Sequence, residues 1–106
     1  MQFIVTAFDG KDSEAGTRRN DVREQHLEGA KRLIRERKLL YAAAILDDDS
    51  NMIGSLLVID FASKEAVYQE WLNCEPYIKG NVWKDVDIKP CKVPDFVLDT
   101  SWVDNT

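Results

Sequence analysis

The chain has 106 residues, 44% hydrophobic and 31% charged, with a formal net charge of -5, which fits one domain able to bury a core without disulfides or structural metal. The acidic balance argues against nucleic-acid or anionic-membrane partners, which need concentrated Lys and Arg, and no stretch approaches the roughly 20 apolar residues of a membrane span. Cys74 and Cys91 have neither metal-ligand nor redox spacing, and the first residues, MQFIVTAF, carry no charged leader or cleavage site, so free thiols in a reducing, cytoplasmic setting are expected.

FIVTAF, residues 3–8, is rich in β-formers and reads as a first strand. DGKDSEAGTRRND follows as a hydrophilic connection. An amphipathic helix is then expected over residues 21–38, with Asn20 or Asp21 as N-cap. Its rotation of about 100° per residue gathers Val22, His26, Gly29, Ala30 and Leu33 on one apolar face, with Arg23, Glu24, Glu28, Lys31 and Arg35 on the wet side. LLYAAAIL (Leu39–Leu46) and MIGSLLVIDF (residues 52–61) are strands joined as a hairpin by the turn residues DDDSN. Ser63 caps a second helix, SKEAVYQEWL, whose buried side is Val67, Tyr68, Trp71 and Leu72. After turn residues in NCEPYIKGN comes a last strand, VWKDVDIK, in which Val82, Val86 and Ile88 alternate with polar neighbours. The rest, with Phe96 and Trp102, reads as a C-terminal arm whose aromatics predict docking rather than disorder.

The order β-α-β-β-α-β predicts an α+β, ferredoxin-like fold: a four-stranded antiparallel sheet with both helices on one face. The two middle strands are apolar on both faces, yet helices cover one. A second copy of the chain is the expected cover for the other, giving a homodimer packed through its sheet faces.

His26, the single histidine, lies in the middle of the apolar face. A buried polar ring needs a partner, and the common outcome is a structural histidine satisfied by a backbone carbonyl. Glu75, just after the second helix, can approach the first helix in this fold and form a His–carboxylate pair suited to general acid/base chemistry. Asp47, Asp48 and Asp49 are alternatives, though three acids in a hairpin are more often turn formers. Arg18, Arg19 and Arg23 fall just before or within the first helical turn, where cations oppose the helix dipole; this suggests anion binding, although ordinary surface arginines are the commoner outcome. Gly54-Ser55 inside a strand marks close approach of a ligand or another backbone. One histidine and no cysteine pair give no first shell for a metal or haem, so no cofactor is expected.

Three stretches carry a family resemblance: RRNDVREQHL, the Gly54-Ser55 start of the third strand, and CEPYIKGNVWKDVDIKPC. The first follows an R-x₃-R-x₂-H-L pattern through Arg19, Arg23 and His26. Together they resemble the YciI-like (YCII-domain) family of small dimeric α/β-barrel proteins, over roughly residues 1–92, leaving 93–106 as the arm. The resemblance implies that dimeric barrel and an active site built on a histidine–acid pair with a serine nearby: His26, Glu75 where the family commonly has aspartate, and Ser55. Arg19, Arg23 and Tyr77 are then candidate substrate-binding groups. Departures from the pattern are Ala43-Ala44, where the family often has Gly-Pro, and Cys91 after Pro90, where it has Phe. Related branches act on chlorinated aromatics, and the wider superfamily includes isomerases and cofactor-free monooxygenases. The expected function is acid/base chemistry on a small, anionic or cyclic organic substrate; the alternative is a non-catalytic small-molecule-binding or accessory dimeric module.

Overall fold

A computed structural model describes residues 1–105. Its elements are β1 (Gln2–Asp9), α1 (Ala15–Arg35), β2 (Leu39–Leu46), β3 (Met52–Asp60), α2 (Lys64–Glu70), α3 (Pro76–Lys79), β4 (Trp83–Cys91) and α4 (Asp95–Leu98), with single 3-10 turns at Leu72–Cys74 and Ser101–Asn105. The four strands form one antiparallel sheet in the order β2-β3-β1-β4, and the helices pack on one face, as the βαββαβ reading requires.

Register explains the core. On the helix-covered face Leu57, Val5 and Ile88 lie side by side, and in the next inward row Ser55, Ala7 and Val86 do. Phe3, Ile59, Val67, Tyr77 and Val82 complete a fully buried centre. The opposite face carries three rows across β2, β3 and β1: Tyr41–Val58–Ile4, Ala43–Leu56–Thr6 and Ile45–Gly54–Phe8. Ile4, Phe8 and Tyr41 are exposed there, Tyr41 to 64%. Period-2 alternation puts both sets on their faces, and only one face is covered. Gly54 sits where β1 passes closest. A Cβ there would lie 2.5 Å from the Ala7 carbonyl oxygen, so the strand glycine marks a neighbouring backbone rather than a ligand.

Several expectations are corrected. α1 begins at Ala15, six residues before Asp21, and neither Asn20 nor Asp21 caps it. The extra turns are polar but not solvated throughout: Asp12 accepts from the Glu14 amide at 3.2 Å, and Arg19 is buried against Asp9. Hydropathy periodicity does not register an inward-facing ion pair. Arg18 and Arg19 therefore stand past the first turn and meet Asp12 and Asp9 instead of opposing a bare dipole. The Arg18 guanidinium beside Asp12 holds that carboxyl well below the usual carboxylate range. Tyr68, expected inside, is 41% exposed because α2 ends at Glu70 and only Ala66 and Val67 of it are buried. Trp71 and Leu72 are buried as expected, from the turn that follows. NCEPYIKGN holds the short helix α3 and not only a turn, and β4 runs on through Pro90 to Cys91. Pro90 is tolerated because β4 is an edge strand. In the arm, Phe96 and Trp102 pack on each other, centroids 6.3 Å apart, and both stay exposed instead of docking on the sheet.

Candidate functional site

α1 turns His26 towards α3, and the chain chemistry between α2 and β4 brings Glu75 to meet it. Glu75 is the N-cap of α3, with Pro76 at the first helical position, where a missing amide proton costs nothing. At the other end Gly80 lets the helix close against α1: a Cβ there would lie 2.9 Å from the Pro76 carbonyl oxygen and 3.2 Å from Val22 Cγ2. Glu75 is 4% exposed. Its Oε1 meets His26 Nδ1 at 2.5 Å and accepts from the Tyr77 amide at 3.2 Å. Its Oε2 accepts from Trp71 Nε1 at 2.9 Å. A carboxylate held from both oxygens cannot swing, so it fixes the direction of the imidazole. With Nδ1–H donated to Glu75, the neutral ring keeps its lone pair on Nε2.

Aromatic rings hold the imidazole plane. Tyr77 stacks on His26 with centroids 3.9 Å apart and planes at 9°, and Trp83 meets both rings edge-on. Burial pushes the Tyr77 hydroxyl up from its ordinary value, against the pull of Arg19 and Arg23.

Beside this pair runs a second polar chain. Arg19, 5% exposed, donates from Nη1 to both oxygens of Asp9 at 2.8 and 3.0 Å. Its Nη2 donates to the Gly54 carbonyl at 3.2 Å and to Ser55 Oγ at 3.0 Å. Trp83 Nε1 donates to the same Ser55 oxygen at 3.2 Å, and the Arg19 guanidinium carbon stands 4.7 Å from the Tyr77 ring centre.

His26, Tyr77, Ser55, Arg19 and Arg23 all line one half-open cavity of about 160 Å³ between α1 and the β2–β3 hairpin, together with apolar side chains such as Leu27 and Leu57. Glu75 stands behind the histidine, outside that wall. Arg23 is exposed at the rim and has no ion pair among the described residues, whereas the charge of Arg19 is matched by Asp9. The hairpin acids do not approach the histidine; Asp47 accepts from the Asp49 and Asn51 amides at 2.9 Å and builds the turn. A larger recess, about 1010 Å³, opens between the start of α1 and the ends of β1, β3 and β4. It holds none of the candidate residues. Among the described residues no group of three or more His, Cys, Asp or Glu side chains could hold a metal ion, and no helix is long and apolar enough to cross a membrane.

Asp9, Trp71 and Trp83 were not among the sequence candidates. Asp9 was within reach, because strand alternation continues Phe3, Val5, Ala7 into Asp9 on the inward face. The two tryptophans carry only the general signal that a buried indole N–H seeks an acceptor.

Fold and site together define a ferredoxin-like α+β protein that places a histidine–carboxylate pair beside a small cavity. The model of the YCII-related domain matches residues 1–92, and the chain belongs to that family. It is 34% identical over 98 residues to the protein YciI of Escherichia coli, across 87% of this chain and 97% of that relative. An uncharacterized protein of Haemophilus influenzae is 35% identical over the same shares. Among solved structures, 5-chloro-2-hydroxyhydroquinone dehydrochlorinase of Burkholderia phenoliruptrix, in complex with 2,5-dihydroxybenzoquinone, superposes with a TM-score of 0.75 at 21% identity, covering 90% of this chain and 97% of that one. An antibiotic biosynthesis monooxygenase superposes with a TM-score of 0.53 at 16% identity, over 88% and 98%. Both likenesses are of fold.

Proposed function

We propose that the chain is an acid/base catalyst for a small, flat organic substrate. The observation that carries this reading is the 2.5 Å contact between His26 Nδ1 and Glu75, with Glu75 pinned by Trp71 and the Tyr77 amide. A structural histidine needs one partner; this one has a carboxylate that is itself held in place, and a second nitrogen left over for the cavity. His26 Nε2 serves as general base and, once protonated, as general acid. Glu75 orients the ring and offsets the charge of the imidazolium. Arg23, unpaired at the rim, holds an anionic group of the substrate, while Ser55 and Tyr77 offer hydroxyls.

Size narrows the substrate. An apolar cavity of about 150 Å³ takes benzene, so 160 Å³ suits a single ring with small substituents. That agrees with the ligand of the fold neighbour from Burkholderia, a dihydroxylated quinone. The functional unit in this reading is a homodimer packed through the uncovered sheet faces.

The test uses 2,5-dihydroxybenzoquinone as probe and needs no prior substrate. General acid/base catalysis appears as accelerated exchange of its ring hydrogens in D₂O, in which the acid delivers a deuteron to the enolate carbon and the base removes the original proton, followed by proton NMR. Wild type is expected to accelerate exchange, and His26→Asn to lower the rate by about 10²–10⁴-fold. Binding of the probe without acceleration would overturn catalysis in favour of a binding module. Nitrogen NMR of the single histidine gives a second reading: Nδ1 should be the protonated nitrogen at neutral pH, and Glu75→Ala, which removes the acceptor, should abolish that preference.

A further inference from the structure

The C-terminal arm is folded on itself and apolar outside. Phe96, Val97, Leu98 and Trp102 are each 48–60% exposed. Trp102 Nε1 donates to the Phe96 carbonyl at 3.0 Å, and the two rings meet edge to face. The arm is thus a preformed knob, which loses little entropy on docking, and clustered apolar surface marks an interaction site. It leaves on the uncovered side of the sheet: alternation along β1 turns Phe3, Val5, Ala7 and Asp9 inward and Gln2 outward with Ile4 and Phe8, and Gln2 receives the Val93 amide. A hollow suited to the knob lies at the other end of the strands. The recess of about 1010 Å³ at the start of α1 has apolar walls from Phe8, Met52 and Ile53, each 37–40% exposed. About 150 Å³ holds one benzene ring, so both aromatic rings and their neighbours have room. The arm cannot reach the recess of its own chain. From Gln2 to Asp9, β1 spans roughly 24 Å at about 3.4 Å per residue, whereas Phe96 follows Val93 by at most about 11 Å of extended chain.

We propose that the arm of one copy docks in the recess of a second copy, so that a pair of chains exchanges two arms. A two-fold axis lying between facing sheets and crossing the strands sets the Gln2 end of each β1 over the Asp9 end of the other. Both contacts then form at once and are identical. Phe8 belongs both to the recess and to the apolar rows of the sheet face, which makes docking site and face one continuous surface. Charge favours the same occupant. Lys11 and Lys84 line the recess, are exposed and have no ion pair among the described residues. The recess carboxylates Asp9 and Asp12 are matched by Arg19 and Arg18, which leaves Asp85 as the opposing charge. The arm brings Asp95 and Asp99; Asp95 is 98% exposed and only loosely paired with Lys92 at 4.0 Å. Phe96 and Trp102 are the anchors and the two lysines the polar rim. The exchange rests on the sheet-face pairing in the proposed function and adds the contact that fixes how the two copies are oriented.

Isotope-filtered NMR on an equilibrated mixture of labelled and unlabelled full-length chain tests the contact. Cross-peaks are expected between ring protons of Phe96 or Trp102 in one chain and methyl groups of Met52 or Ile53 in the other. Their absence from a sample that sediments as a dimer, or their occurrence only within one chain, overturns the exchange. Sedimentation reads its strength. Trp102→Ala removes an anchor from each of two identical contacts and should raise the dimer dissociation constant by about 10²–10³-fold. Gly16→Phe acts from the other side: Gly16 lines the recess, and a Cβ there meets nothing within 4 Å, so the added ring fills the recess without straining α1. It should weaken the dimer similarly, and the double variant should be little worse than either single one, because both remove the same contact. Wild-type affinity in both single variants overturns the exchange; if Ile4→Lys, which charges the sheet face, is then monomeric, the face pairing stands without it. Dissociation of both arm and recess variants with Ile4→Lys still dimeric keeps the exchange and removes the face pairing. A monomeric wild type removes both.

Discussion

Glu75 has to be counted as an acceptor before it is counted as a partner of His26. Three donors end on its carboxylate, from His26, the Tyr77 amide and the Trp71 indole, and removing it strands all of them in a protein interior. Leaving a buried donor without its acceptor costs about 1–3 kcal/mol. Glu75→Ala is therefore expected to lose about that much stability in urea unfolding. Glu75→Gln should lose clearly less, because its amide oxygen still accepts. Equal losses in the two variants would mean that packing, and not the hydrogen bonds, makes the residue necessary. Tyr77 supplies a pH signature at the same scale. Burial raises its folded-state pKa above the ordinary value of about 10. Above pH 10 the unfolded chain gives up a proton that the folded chain keeps, so this contribution is full below pH 10 and declines as pH rises through the raised value. Tyr77→Phe should flatten the alkaline arm of the stability profile, and an unchanged slope would show that other groups set it.

At the scale of elements, β1 and β3 are locked by a glycine. Alanine at position 54 would put its Cβ 2.5 Å from the Ala7 carbonyl oxygen, a backbone atom that cannot turn away. Gly54→Ala should destabilise by about 1–3 kcal/mol, the usual range for overpacking. Because Ser55 follows it, the same change should also weaken binding of 2,5-dihydroxybenzoquinone. A neutral outcome in thermal unfolding would mean that the strand pair has slack the register does not show. The order of elements along the chain was legible because LLYAAAIL and MIGSLLVID read as strands by their runs of apolar and β-forming residues, and the body of α1 by its helical period. The start of α1 was not, since Ala15 to Asn20 fold inward through Arg19 and Asp9, and an ion pair between residues ten apart in sequence has no period. Nor was α3, only four residues long and set by the Glu75 cap and Pro76. The same physics divides the site. His26 stood out by its place on an apolar face, and Glu75 became a candidate through topology and family pattern. The Arg19–Ser55–Trp83 hydrogen bonds join three separate elements, and their meeting is a product of register that no single segment encodes.

For the whole molecule, the uncovered sheet face sets the expected assembly. Its rows across β2, β3 and β1 are apolar, while outward residues of β4 include the exposed charges Asp85, Asp87 and Lys89, with Asp87 and Lys89 paired at 3.4 Å. An apolar centre with a charged rim is the anatomy of an interface between copies. The arm leaves beside that rim, tied by the Val93 amide to Gln2 at 2.6 Å. Sedimentation of wild type at micromolar concentration should give a dimer. Ile4→Lys puts a charge in the apolar Tyr41–Val58–Ile4 row, which a sheet-face dimer would bury, and should give a folded monomer. Both proteins sedimenting as monomers would dismiss the sheet-face dimer. The residues of one chain already line the cavity, from α1, β2, β3 and Tyr77, and its chemistry is expected to survive loss of the partner. The Ile4→Lys monomer should therefore still bind 2,5-dihydroxybenzoquinone and keep the histidine proton on Nδ1. If binding disappears together with the dimer while the fold persists, part of the site must come from the second copy.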